Sequence, residues 1–111
     1  MSEPQKIEFS EPVSHDADVF DREADVDGTR WALVEYAPGA GRAEWCETPH
    51  SGVVLSGTLT YGFEDGRAPL RLGPGDGFVL PEQPRHRGHN EGAEPARLFL
   101  IDALPASPSS G

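Results

Sequence analysis

The sequence predicts an all-β domain, either a β-sandwich or a closed barrel made of many short strands. Three observations lead there. Short apolar runs recur at spacings of about eight to twelve residues, each bounded by turn formers. No segment keeps a helical apolar period over a window of about eleven residues. The 13 glycines and 11 prolines are distributed as punctuation between those runs, not gathered into low-complexity tracts. There is no internal repeat.

The strand pattern starts at Arg30. Residues 31–36 (Trp-Ala-Leu-Val-Glu-Tyr) form the first expected strand, closed by Pro38 and Gly39. Residues 42–46 are the second and residues 52–55 the third. After Ser56 and Gly57, residues 58–63 alternate apolar with small or polar side chains and stop at Glu64-Asp65-Gly66. Residues 70–72 make a short strand leading into Gly73-Pro74-Gly75-Asp76. Residues 78–80 follow, then a strand around His86. Residues 97–102 are the last and most apolar. Ahead of the barrel, residues 14–29 are rich in Asp and Glu, with Val19, Phe20 and Val26 as anchors. They read as an irregular arm or a hairpin with an acidic exposed side. The chain thus divides into an N-terminal acidic arm (1–29), a barrel (30–104) and a tail (105–111). Residues 1–5 and the tail have little to bury and are expected to be mobile.

A chain of 111 residues accommodates one domain and one core. Nine basic against nineteen acidic side chains give a net charge of −10. Such a surface repels phosphate backbones and anionic headgroups, so nucleic acid and membrane surfaces are not expected partners. No apolar run approaches the roughly 20 residues of a membrane span. The polar start, Met-Ser-Glu-Pro-Gln-Lys, does not read as a secretory leader. A single cysteine, Cys46, rules out an internal disulfide and suits a reducing, cytoplasmic setting.

The most specific pattern is Gly75, Pro81, Gln83, His86 and Asn90, spaced by five, one, two and three intervening residues. Gly75-Asp76 supplies the turn into a strand, because glycine tolerates positive φ. Pro81 ends that strand because it cannot donate to a ladder. This order resembles the second motif of the cupin superfamily, with Gln83 standing where a glycine is usual. The resemblance implies a jelly-roll β-barrel of two antiparallel sheets whose histidine, here His86, points into the barrel mouth. It extends over about residues 30–102 and implies pairing into homodimers.

The first motif of that family is altered. Counting seven back from Gly57 puts His50 at the usual glutamate position. A three-residue spacer then puts Cys46 and Glu44 at the two histidine positions, with Gly39 five positions before Glu44. A four-residue spacer would put Ala43 and Trp45 there and leave the site without ligands. In the first register Glu44, Cys46 and His50 replace His, His and Glu, and carboxylate, thiolate and imidazole all bind metals. Glu44 and Cys46, two apart on the expected strand, would share a face with Trp45 turned away. His50 would be returned to that face by the Thr48-Pro49 kink.

Each candidate has a plainer alternative. His86 could be a loop histidine in Arg-His-Arg-Gly-His, and His50 a turn residue after Pro49. Cys46 could be a small buried hydrophobe, and Glu44 a solvated edge residue. His15 and His89 are assigned to the surface. Trp31, Tyr36, Trp45, Tyr61, Phe63, Phe78 and Phe99 are assigned to core or pocket lining, with Tyr61, Phe63 and Leu59 on one face. Two functions are carried forward. One is a divalent-metal site on His50, His86, Cys46 and Glu44, zinc or iron by the softness of the thiolate, serving a small-molecule substrate. The other is a metal-free pocket in which the same polar groups orient a small ligand without catalysis. The fold itself assigns no reaction.

Overall fold

The structure is a computed structural model that describes residues 3–14, 16 and 18–103. The expected tail at 105–111 and His15 lie outside the described residues. Among those described there are nine strands and no helix: β1 (Val13–Ser14), β2 (Val19–Val26), β3 (Thr29–Tyr36), β4 (His50–Ser56), β5 (Leu59–Phe63), β6 (Leu70–Leu72), β7 (Gly77–Leu80), β8 (His86–His89) and β9 (Ala96–Ala103). Among the described residues no helix is therefore long and apolar enough to cross a membrane. All pairings are antiparallel. One sheet has six strands in the order β1-β2-β3-β9-β4-β7, and the other has three in the order β6-β5-β8. The fold is the jelly roll expected from the sequence.

Period-two burial decides which side chains look inward. On β3 the buried residues are Ala32, Val34 and Tyr36, and on β9 they are Ala96, Leu98 and Leu100. Leu59, Tyr61 and Leu72 come from the smaller sheet and join them in one buried cluster with Val54, Phe78 and Leu80. Trp31 and Phe99 fall on the opposite parity. They pack edge to face, 5.7 Å apart, on the outer side of the large sheet rather than in core or pocket.

The acidic stretch takes the hairpin form. β2 pairs along its whole length with β3, from Val19 opposite Tyr36 to Val26 opposite Thr29. The turn Asp27-Gly28 has positive φ at both residues, the conformation that matches the twist of two tightly connected strands. In its acidic row Glu23 and Asp25 are exposed, as expected, while Asp21 is part-buried. Asp21 and Glu23 stand opposite Val34 and Ala32, on the cavity side of the sheet.

The expected strand at 42–46 does not form. The segment makes only two isolated bridges to β8, Gly41 with His89 and Cys46 with His86, and the residues between them form a bulge. That bulge is held by side chains: Arg42 reaches Asp21, and the Arg87 guanidinium lies 4.2 Å over the Trp45 ring. Glu44 and Cys46 therefore do not share a strand face, and Cys46 is positioned by its bridge instead.

Candidate functional site

Four of the five second-motif residues have a clear place in the fold. Gly75 has φ +88° in the turn before β7, and Pro81 follows that strand's last residue. Asn90 is 1% exposed; its amide nitrogen lies 2.7–3.3 Å from the carbonyls of Tyr36, Ala37 and Glu94, and its oxygen accepts from the Gly92 N–H. It thus ties the ends of β3, β8 and β9 together. His86 opens β8, 2% exposed and facing inward with Gly88.

His50 is not in a turn but begins β4, on the same inward parity as Gly52 and Val54. Ser51 pairs with Ile101, so the next step along the ladder brings His50 beside Asp102. The His50 Nδ1–Asp102 Oδ1 distance is 2.7 Å, which assigns the ring proton on Nδ1 to the carboxylate. His50 Nε2 then looks the other way, 4.0 Å from the Cys46 sulfur. Cys46 is placed by reciprocal backbone hydrogen bonds with His86, at 2.8 and 2.9 Å, and its sulfur accepts from the Thr48 N–H at 3.4 Å. The His50 and His86 rings meet at 67° with centroids 5.2 Å apart.

Cys46, His50 and His86 thus bring one sulfur and two imidazole nitrogens within 4.8 Å of one another. Glu44 lines the same cavity but is not part of this trio. The donor set suits a soft or borderline divalent ion. Ordinary bond lengths to a tetrahedral ion would hold sulfur and nitrogen about 3.6 Å apart, close to the observed Cys46–His50 spacing. Among the described residues neither buried ring nitrogen of His86 meets a hydrogen-bond partner, a costly state that an ion or ligand on one of them would partly relieve.

The trio is also electrostatically coupled. The His50 ring, and after it the His86 ring, pull the Cys46 thiol down to about 5 against the opposing effect of burial. For His50, burial disfavours the charged ring, yet Asp102 and the Cys46 sulfur outweigh it and raise the imidazole to about 9. With no metal bound, both shifts favour a thiolate beside an imidazolium, with Asp102 steadying the ring.

These groups open on a cavity of about 650 Å³ between the sheets. Its walls include Val34, Leu100 and Tyr61, with Trp45 and Arg87 also lining it. A second polar group stands there. The Arg42 guanidinium lies 3.0 Å from Asp21 and donates to the Tyr36 hydroxyl at 3.3 Å. Burial raises the Tyr36 phenol, and Arg42 opposes that rise. Sequence reasoning named neither Asp102 nor the Arg42–Asp21 pair as site residues. Asp102 had a usable signal, since it continues the inward parity of Leu98 and Leu100 on β9. Arg42 and Asp21 had none, because only the fold brings them together.

A family profile described as the cupin domain matches residues 32–102. This chain is a cupin. No curated relative matches its sequence. Among solved structures, the polyketide cyclase RemF from Streptomyces resistomycificus is 17% identical with a TM-score of 0.73, covering 97% of this chain and 83% of its own. AerE from Microcystis aeruginosa is 22% identical with a TM-score of 0.74, over 91% of this cupin and 48% of AerE. A sugar phosphate isomerase of the cupin superfamily from Silicibacter pomeroyi is 17% identical with a TM-score of 0.69, over 89% and 72%. Likeness at such identities establishes the fold of this cupin and transfers no reaction to it.

Proposed function

We propose that this cupin holds one divalent cation on Cys46, His50 and His86 and presents it to a small molecule in the barrel cavity. The observation that carries this reading is the convergence of three ligand atoms at His86, whose two buried ring nitrogens meet no hydrogen-bond partner among the described residues. A thiolate in the set favours zinc or ferrous iron over magnesium or calcium. Such an ion would supply Lewis acidity or a hydroxide near neutral pH. The protein's own residues do the positioning. Asp102 fixes the His50 tautomer and leaves Nε2 facing the site, and the Thr48 N–H steadies the sulfur. A reduced thiol is required, which agrees with a cytoplasmic role. Metal analysis of protein purified from its native source should find about one zinc or iron per chain, and His86→Ala should lose it. A metal content near zero in the wild type would remove this reading.

One observation favours a metal-free, ligand-binding alternative. The Cys46–His50 pair already satisfies two of the three candidate ligands without an ion. A metabolite that raises the melting temperature equally in EDTA and in added zinc would select it.

Homodimer formation belongs to the same proposal. The outer face of the large sheet exposes Phe20 and Leu55 beside Leu33, with the Glu35–Arg97 ion pair among them. Such a face fits a second copy of the chain better than open solvent.

A further inference from the structure

We infer that Tyr36 and Arg42 form a second binding station in the cavity, separate from the three candidate metal ligands, which takes an oxygen of a neutral carbonyl or hydroxyl compound. The inference rests on reading the barrel mouth as a small-molecule site, and it names the class of molecule.

Tyr36 ends β3 on the inward row and is 3% exposed. Its hydroxyl oxygen accepts a hydrogen bond from Arg42 Nε at 3.3 Å. A guanidinium can only donate, so the phenolic proton of Tyr36 must go to another acceptor. Among the described residues the hydroxyl donates no hydrogen bond. Arg42 has capacity left as well. Its Nε serves Tyr36 and its Nη2 serves Asp21 at 3.0 and 3.3 Å, while Nη1 meets no acceptor among the described residues. The Tyr36 hydroxyl and Arg42 Nη1 therefore each keep a donor for which the described residues supply no acceptor.

The position is set by Gly88. A Cβ there would lie 2.8 Å from the Tyr36 hydroxyl and 2.9 Å from the Tyr61 ring, so only glycine lets both rings lie across β8. Tyr61 in turn packs edge-on against His86, with centroids 5.7 Å apart and planes at 89°. One aromatic ring thus separates the station from the metal-ligand corner, and both line the same cavity. A ligand of ordinary size can touch both.

Charge selects a neutral molecule. Asp21 neutralises Arg42. Six carboxylates line the cavity against two guanidiniums and two imidazoles. A carboxylate or phosphate entering past Glu23, Glu44 and Glu47 meets like charge, whereas a ketone, ester or polyol does not.

The test uses matched probes observed by saturation-transfer NMR in EDTA: methyl benzoate against benzoate, and D-glucose against D-glucuronate. At least one neutral member should bind and its acid should not. Tyr36→Phe and Arg42→Gln should each weaken that binding by about tenfold, the loss of one well-placed hydrogen bond, while zinc stoichiometry stays at the wild-type level. In the unmutated protein, the neutral probe should shift the Arg42 Nε–H resonance, so a variant that fails to fold does not decide the matter. Tighter binding of the acids, no binding by either neutral probe, or an Arg42 resonance unmoved by a bound probe would overturn the inference. So would loss of zinc together with probe binding in Tyr36→Phe. If the wild type holds no zinc yet loses probe binding on Tyr36→Phe, the metal reading fails and this one stands.

Discussion

Cys46 sits where two imidazoles and a backbone N–H compete with burial for control of its proton, and the imidazoles win. In metal-free protein the rate of alkylation by iodoacetamide should rise with pH through a midpoint near 5. In urea the midpoint should return to that of an ordinary thiol, about 8.5. Equal midpoints in the two conditions would show that the thiolate is not held by the fold. The linkage to stability has a definite sign for each partner. The depressed Cys46 value contributes stability that is fully present above the unfolded thiol pKa and is lost as pH falls through about 5. The raised His50 value contributes stability that is fully present below the unfolded imidazole pKa and is lost as pH rises through about 9. Melting temperature should therefore fall off on both sides of neutrality, and Cys46→Ser should flatten that profile. Asp102 acts one step further out, by holding His50 in one tautomer and orientation. Asp102→Asn should weaken zinc binding by about 10–100-fold without removing any candidate ligand, as measured by competition with a chromophoric chelator. Unchanged affinity would mean that the carboxylate serves only the strand end.

Between strands, the two family motifs are turn chemistry as much as ligand chemistry. Gly57 has φ +73°, and a Cβ there would lie 2.2 Å from the Pro95 carbonyl oxygen. Neither the conformation nor the space admits a side chain. Gly57→Ala should therefore destabilise the protein by more than about 1 kcal/mol in urea unfolding, whereas Gly66→Ala, also at positive φ but with no atom near, should cost less. Equal losses would show that backbone conformation alone matters at Gly57. The strands themselves were legible because period two, turn glycines and prolines are local signals. β3, β5, β6, β7 and β9 lie within a residue or two of their sequence positions. Residues 42–46 were not legible. They have the composition of a strand, but their partner β8 accepts only Gly41 and Cys46, so long-range pairing overrode local pattern. His50 and Cys46 could be named from the register counted back from Gly57, and His86 from the second motif, and the fold brings one ligand atom of each within 4.8 Å of the others. Glu44 could be named but not placed, because its assigned face depended on a strand that does not form.

At the scale of the whole molecule, two large terms oppose each other over association. The outer face of the six-stranded sheet leaves apolar area open to water: Leu55 is 52% exposed and Val79 72%, with Ile101 at 38% and Phe20 at 37%. Covering such a face favours pairing by roughly 25 cal/mol per Å² of apolar surface removed from water, before the entropic cost of association. Against it stands a net charge of −10 on each chain. Like-charged protomers repel over roughly a Debye length, about 10 Å at 0.1 M salt, and that repulsion weakens as salt rises. Apolar burial is not screened in the same way. A dimer formed through this face should consequently tighten as ionic strength increases, the reverse of one held by complementary charge. Sedimentation velocity at 20 and 300 mM NaCl should show a larger dimer fraction at the higher salt. Leu55→Glu adds a charge at the centre of the apolar patch, away from the cavity, and should leave a monomer at both salts with zinc content unchanged. A wild type that is monomeric throughout, or a dimer that dissociates as salt rises, would rule out this face as the contact between copies.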